Sequence, residues 1–252
     1  MPSTILFQTA THRNVMLEDV PAESLAVQTN QHLIVDGNEA MLLDPSGHKV
    51  YARVLSHTFG ELGRKAHLKH IFLSHQDPDI VAAINGWLMS TDVTAHASSL
   101  WIRFIPHFGL DKMVETRLLG IPDEGEGLTL GSARLLFVPA HFLHSPGNFH
   151  VYDPVSKVLY TGDLGASLGA PYAEVTDFDA HLQYIEGFHR RYMSSKRALR
   201  VWVRSARQLD IETIAPQHGA LFRGKALVER FLGWADELSC GSDLLEVRRV
   251  PS

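Results

Sequence analysis

Residues 68–80 read LKHIFLSHQDPDI. The run Leu68 to Leu73 has the length and apolar character of a short strand, and SHQDPD halts it. His75, Asp77 and Asp79 follow at alternate positions. Asp77, Pro78 and Asp79 also start a helix, with proline at an early position and acid near the positive end of the helix dipole. This predicts a helix over Ile80 to Met89. A strand, a donor-rich turn and a helix place potential ligands at one edge of a sheet.

The flanking segments extend this pattern. Upstream, Gln31 to Asp44 holds two apolar runs around Asp36-Gly37, a hairpin signal, and Lys49 to Leu62 has helical apolar spacing. Downstream, Asp92 to His96 reads as a strand, Ser98 to Ile105 as a short helix, and Ile121 to Gly131 as a turn-rich loop. Ala133 to Pro139 and Phe149 to Tyr152 are strand-like, and Lys157 to Thr161 completes a hairpin across Asp153-Pro154. Helices are predicted at Phe178 to Tyr192 and Arg197 to Gln208, then a strand at Glu212 to Ala215 and a helix at Lys225 to Leu238. With no repeat or internal linker, this order suggests one layered α/β domain whose sheets are covered by helices.

Composition narrows the function classes. The 252 residues are 45% apolar and 20% charged, which suits a globular domain with a sizeable core and excludes a disordered or fibrous chain. A lone cysteine, Cys240, forms no internal bridge and fits a reducing compartment. Met1 to Ala10 lacks an export signal and no stretch is long enough to span a membrane, so a cytoplasmic protein is expected. A net charge of −5 argues against nucleic acid as partner. Fifteen histidines point to metal chemistry.

Candidate ligands recur just beyond strand-like segments: His75, Asp77 and Asp79 after IFLS, His144 in PAHFLHSPGN, Asp163 in VLYTGDL and His218 in TIAPQHG. Each has an ordinary reading alone. Asp77 suits a helix cap, while His144, Asp163 and His218 suit turns. Together, three imidazoles and three carboxylates suit a two-metal site in which one carboxylate bridges both ions.

These segments, with the hairpin QHLIVDGNEAMLLDPSG, resemble the metallo-β-lactamase fold, an αββα sandwich, and within it the diiron domain of the flavodiiron proteins. The similarity covers nearly the whole chain, so residues 1–252 are expected to form a single diiron domain with no flavodoxin domain and no bound FMN. The flavodiiron pattern is His-x-Glu-x-Asp-His, then His, Asp and His. By that resemblance His75, Asp77 and His144 hold one metal, Asp79 and His218 the other, and Asp163 bridges. Asp77 replaces the family's glutamate, and Ile80 replaces a histidine ligand. This variant is similar to the stand-alone oxygen-binding diiron proteins that serve as sensors. Hydrolases of the fold place a histidine at position 77.

The residue chemistry agrees on the metal. A carboxylate at position 77 makes the first site harder and more anionic, favouring iron, with manganese or zinc as substitutes. Ile80 cannot coordinate, which leaves the second ion with open positions for dioxygen, nitric oxide or solvent. The expected function is therefore oxygen or nitric oxide binding, as a sensor or as a reductase with a separate redox or signalling partner. A dinuclear hydrolase is the alternative. A homodimer is expected from the head-to-tail pairing of flavodiiron proteins.

Other motifs are weaker. Gly165 to Gly169 fits G-x-S-x-G, but Pro171 blocks the helix that motif requires. Gly125, Gly127 and Gly131 miss the dinucleotide spacing. His70, His96, His141 and His150 have no assigned place. Arg197, Arg200, Arg204 and Arg207 form a basic stripe if helical, either a solvated face or a dock for an acidic redox partner.

Overall fold

The computed structural model describes residues 3–19 and 28–246; the start of the Met1–Ala10 segment and the last residues of the expected domain lie outside them. Strands β1 (Ser3–Gln8), β2 (His12–Asp19), β3 (Thr29–Asp36), β4 (Glu39–Leu43), β5 (His67–Phe72), β6 (Thr94–Ser98) and β7 (Leu118–Ile121) form one sheet in chain order. A second sheet has the order β13 (Phe222–Arg223), β12 (Thr213–Ala215), β11 (Val158–Tyr160), β10 (Phe149–Asp153), β9 (Ala133–Pro139) and β8 (Glu126–Leu130). Helices α1 (Tyr51–Leu62), α2 (Pro78–Val81) and α3 (Ile84–Ser90) follow strands of the first sheet; α4 (Phe178–Tyr192), α5 (Lys196–Ala206) and α6 (Lys225–Glu237) accompany the second.

Side-chain alternation along the strands builds three apolar layers. On β3 and β4, Leu33, Val35 and Leu42 join Val54, Ile84 and Trp87 in a core beneath the first helices. Their neighbours Ile34, Met41 and Leu43 point the other way and meet Phe137, Phe149 and Val151 between the sheets. A third cluster packs Leu159, Ile214 and Phe222 against Ile185, Trp202 and Phe231. Strands covered on both faces have no polar side to keep, which is why these segments read as unbroken apolar runs. This is the αββα metallo-β-lactamase-like sandwich that the resemblance implied.

Three local readings change and one element is added. The helix expected over Ile80 to Met89 is two helices; in the second, Gly86 packs so closely on Tyr51 that a Cβ would lie 2.7 Å from its ring. The expected Ser98–Ile105 helix is a series of turns ending in a 3-10 segment at Ile105–Phe108, where Pro106 has no amide hydrogen for an α-helical bond. The loop Ile121–Gly131 contains β8, paired antiparallel with β9; over that whole stretch Leu128 and Leu130 are outnumbered by three glycines and three acids, which hides the strand. The β1–β2 hairpin has no counterpart in the sequence reading, because β2 buries the polar His12 and Asn14.

No helix among the described residues is long and apolar enough to cross a membrane. β5, β11 and β12 all end at the same edge of the sandwich, so the segments that follow them converge there.

Candidate metal centre

The turn after β5 is pinned before it reaches His75. Ser74 N–H donates to Asp44 Oδ1 at 2.8 Å, and Ser74 O accepts from Phe149 N–H at 3.0 Å, which ties the turn to both sheets. Ser74 Oγ lies 3.0 Å from His75 Nδ1, so the Nε2 edge faces the cluster. His218 is oriented by the same logic: its Nδ1–H donates to the Gln28 carbonyl at 2.6 Å, which leaves Nε2 turned inward. Such partners fix tautomer and ring direction in metal-ligating histidines.

Asp77 stands at the N-terminus of α2, yet its carboxylate makes no capping hydrogen bond. Its Oδ2 instead lies 3.4 Å from His144 Nε2 and 3.7 Å from His75 Nε2. The ordinary helix-cap reading of this residue therefore fails. Asp163, after β11, faces both halves of the cluster. Its Oδ2 is 3.0 Å from His144 Nε2 and 3.8 Å from His75 Nε2, and its Oδ1 is 3.2 Å from His218 Nε2. His218 Nε2 is also 3.3 Å from Asp79 Oδ2. All six sequence candidates thus meet, in two sets that share Asp163.

The electrostatics are those of a cation site. Burial alone would lower the His144 and His218 pKa values, but the adjoining carboxylates outweigh it and raise them to about 9 and about 10. Burial would raise the Asp163 pKa, and its imidazole neighbours instead hold it well below the usual carboxylate range. Three carboxylates without lysine or arginine in these contacts call for positive charge, which protons on the imidazoles otherwise provide. Buried His75 Nε2 has no hydrogen-bond partner among the described residues, which fits a ring presented to an ion. Donor atoms of His75, Asp77, His144 and Asp163 all lie within 4.8 Å of one another, so the residues fit a metal.

Residues 27–219 match the family described as ODP family beta lactamase. The chain belongs to this family. Among ODP structures, the peroxy diiron species of chemotaxis sensor ODP is 39% identical, covering 97% of this chain and 98% of that one with a TM-score of 0.85. The apo state of the T. denticola sensor is 38% identical with a TM-score of 0.82, covering 96% of this chain and 97% of that one. Flavodiiron proteins share the fold: a point mutant of the flavodiiron protein from Thermotoga maritima aligns with a TM-score of 0.75 at 18% identity, covering 93% of this chain and 60% of that one. Diflavin flavoprotein A 1 of Synechocystis is 24% identical over 84% of this chain, which spans 37% of that protein's length.

The ODP family chain also positions these candidate ligands through residues the sequence reading did not single out. His189 on α4 accepts from Gly165 N–H at 2.8 Å, and its Nδ1 lies 2.7 Å from the Ile185 carbonyl, bracing the turn that carries Asp163. Asp44, Ser74 and Gln28 act on His75 and His218 as described. No local motif marks any of them: Asp44, Gln28 and His189 act through partners distant in sequence, and Ser74, next to His75, is an ordinary turn residue by type. Of the unassigned histidines, His150 accepts from Trp202 Nε1 at 3.0 Å, His141 meets the Asp123 carbonyl at 2.8 Å, and His70 and His96 pair at 3.0 Å. Ser167, the elbow candidate, is buried with its Oγ accepting from Ala220 N–H, so it is not presented as a nucleophile.

Proposed function

We propose that this chain is a non-haem diiron protein that binds dioxygen, with His75, Asp77 and His144 on one iron, Asp79 and His218 on the other, and Asp163 between them. The observation that carries the reading is Asp163, which offers one carboxylate oxygen to each set of donors. Identity of 39% to a chemotaxis sensor described as a peroxy diiron species supports iron and oxygen as the chemistry. A ferrous pair, when bound, supplies the electrons and open coordination positions that capture dioxygen. The chain's own residues keep the three Nε2 edges convergent, and the neighbouring imidazoles hold the Asp77 and Asp163 carboxyls ionised. Asp79, with its side chain 45% exposed, leaves the second set the more open to solvent. Nothing in the site favours hydrolysis, since position 77 gives oxygen where a hydrolase of this fold has nitrogen.

The finer assignments belong to the same proposal. The chain acts as a sensor, with manganese or zinc only as substitutes; nitric oxide is an alternative ligand, and a reductase role would need a separate electron donor. A homodimer follows the pairing of flavodiiron proteins, and a cytoplasmic setting suits the free, buried Cys240. The test is anaerobic purification, metal analysis and absorption spectra before and after air. Wild type should hold an iron pair and develop a new charge-transfer band with oxygen, and Asp163→Asn should lose both irons. Zinc retained in preference to ferrous iron, or no spectral response to air, would overturn the proposal.

A further inference from the structure

The loop that presents His144 has a second face. Away from the metal donors it forms, with α5, a groove of about 540 Å³ whose walls include Pro139, Phe142, Val201 and Trp202 and whose rim carries Arg197. Phe142 is 52% and Val201 59% exposed, large apolar side chains displayed on either side of the groove. Phe142 adopts φ 68°, a left-handed conformation that bulky residues rarely take, and such outliers cluster at ligand clamps.

The arginine stripe of α5 separates into two roles here. Arg200 and Arg207 turn towards α6, at 3.1 Å from Glu237 and 3.6 Å from Glu229. Arg197 and Arg204 make no ion pair among the described residues, and they share a helix face with exposed Val201. Among the described residues, no aspartate or glutamate lines the groove. A chain of net charge −5 thus presents one uncompensated cation, Arg197, on the rim of an apolar cleft and a second, Arg204, two turns further along the same face of α5.

We propose that this groove docks an acidic segment of a partner protein, with an apolar side chain seated between Phe142 and Trp202 and carboxylates on Arg197 and Arg204. A buried apolar or aromatic anchor with a charged rim is the usual division of labour at such a site. The groove also reaches the metal donors. Phe142 N–H donates to the Ser145 carbonyl at 2.7 Å, closing the turn that carries His144, and Trp202 Nε1–H donates to His150 Nδ1 at 3.0 Å. Pressure on Phe142 therefore acts on the loop that aims His144, and a side chain seated on Trp202 is felt at the His150 ring.

The test uses the full chain and a fluorescent peptide of about twelve residues with glutamates around a central phenylalanine, alongside its lysine counterpart. The acidic peptide should bind and the lysine peptide should not. Arg197→Glu with Arg204→Glu should weaken binding by about tenfold or more, and Ser205→Trp, which fills the groove, should abolish it. These positions lie on the surface of α5 or at the groove wall, and circular dichroism verifies that the variants stay folded. In wild type, NMR should show the ring signals of His150 and His144 shifting with the peptide. Shifts confined to the surface of α5 would refute the link to His144. Equal binding of both peptides, no binding of either, or capture of anilinonaphthalene sulfonate alone would overturn the docking site, the last by showing a pocket for small anionic amphiphiles.

Discussion

His12 Nε2 lies 2.8 Å from Asp153 Oδ2, joining β2 of one sheet to β10 of the other at the end of the sandwich opposite the candidate metal centre. Its Nδ1 is 2.9 Å from Asp36 Oδ1, so both ring nitrogens face carboxylates and the imidazolium form is favoured. Burial lowers the His12 pKa, and the two carboxylates more than reverse this and raise it; burial raises those of Asp36 and Asp153, and hydrogen bonds led by His12 lower them. The raised histidine contributes stability below its unfolded pKa of about 6.5 and loses it as pH rises through the folded value. The depressed aspartates contribute above about 4 and lose it as pH falls through theirs. His12→Gln should therefore cost most, about 3 kcal/mol, between about pH 4.5 and 6.5, with the gap narrowing towards pH 9 and pH 3. Urea denaturation across that range measures it, and a gap independent of pH would show that His12 acts by packing alone.

His189 carries a different prediction because it serves as an acceptor. With Nδ1–H directed to the Ile185 carbonyl, Nε2 is free to receive Gly165 N–H, and burial pulls the pKa of the ring down to about 4, keeping it neutral. His189→Phe fills the space but leaves that amide unpaired, at a cost of about 1–3 kcal/mol. The turn holding Asp163 should loosen with it. Calorimetry of the metal-free protein should show the loss of stability, and iron titration should show weaker retention at both positions. His189→Gln should recover part of each.

The layered fold was legible in the sequence because its strands are buried on both faces, and Phe178–Tyr192 matches its predicted bounds. The β1–β2 hairpin was not, since His12 and Asn14 hold polar positions within β2 and serve a network spanning both sheets. The six donor residues could be picked out because each follows a strand, and strand ends at one sheet edge converge. Their supports could not. Gln28 and His218 are joined by a contact between a carbonyl and a ring nitrogen, which leaves no trace in residue type. The arginine stripe shows the same limit: spacing identified the helix face, but only α6 reveals that Arg200 and Arg207 are internally paired.

Under the proposed function, the carboxylate at position 77 is expected to set which metal is favoured. Asp77→His replaces a hard anionic donor by a neutral nitrogen, the donor set that suits zinc. The ratio of ferrous iron to zinc affinity should fall by on the order of tenfold. Anaerobic competition between the two ions, followed by metal analysis, gives this ratio directly. An unchanged ratio would mean that the remaining donors set the preference.

Ile80 separates the packing role of α2 from its proposed metal role. The side chain is fully buried and belongs to the apolar cluster that includes Val81, Ile84 and Trp87, while the preceding Asp79 reaches His218. An imidazole at this position enters a site built for hydrocarbon, so Ile80→His should destabilise the metal-free protein by about 2–4 kcal/mol. The resemblance to flavodiiron proteins puts a ligand at this place, next in the chain to the Asp79 carboxylate of the second donor set. Iron should then recover more stability in the variant than in wild type, because a ligand that binds only the folded state stabilises it in proportion to its affinity. The second iron should also survive dialysis longer. Thermal unfolding with and without ferrous iron, and iron content after dialysis under nitrogen, separate the two effects. If Ile80→His is destabilised and iron restores no more than in wild type, the residue is core packing, and the openness of the second position rests on Asp79 alone.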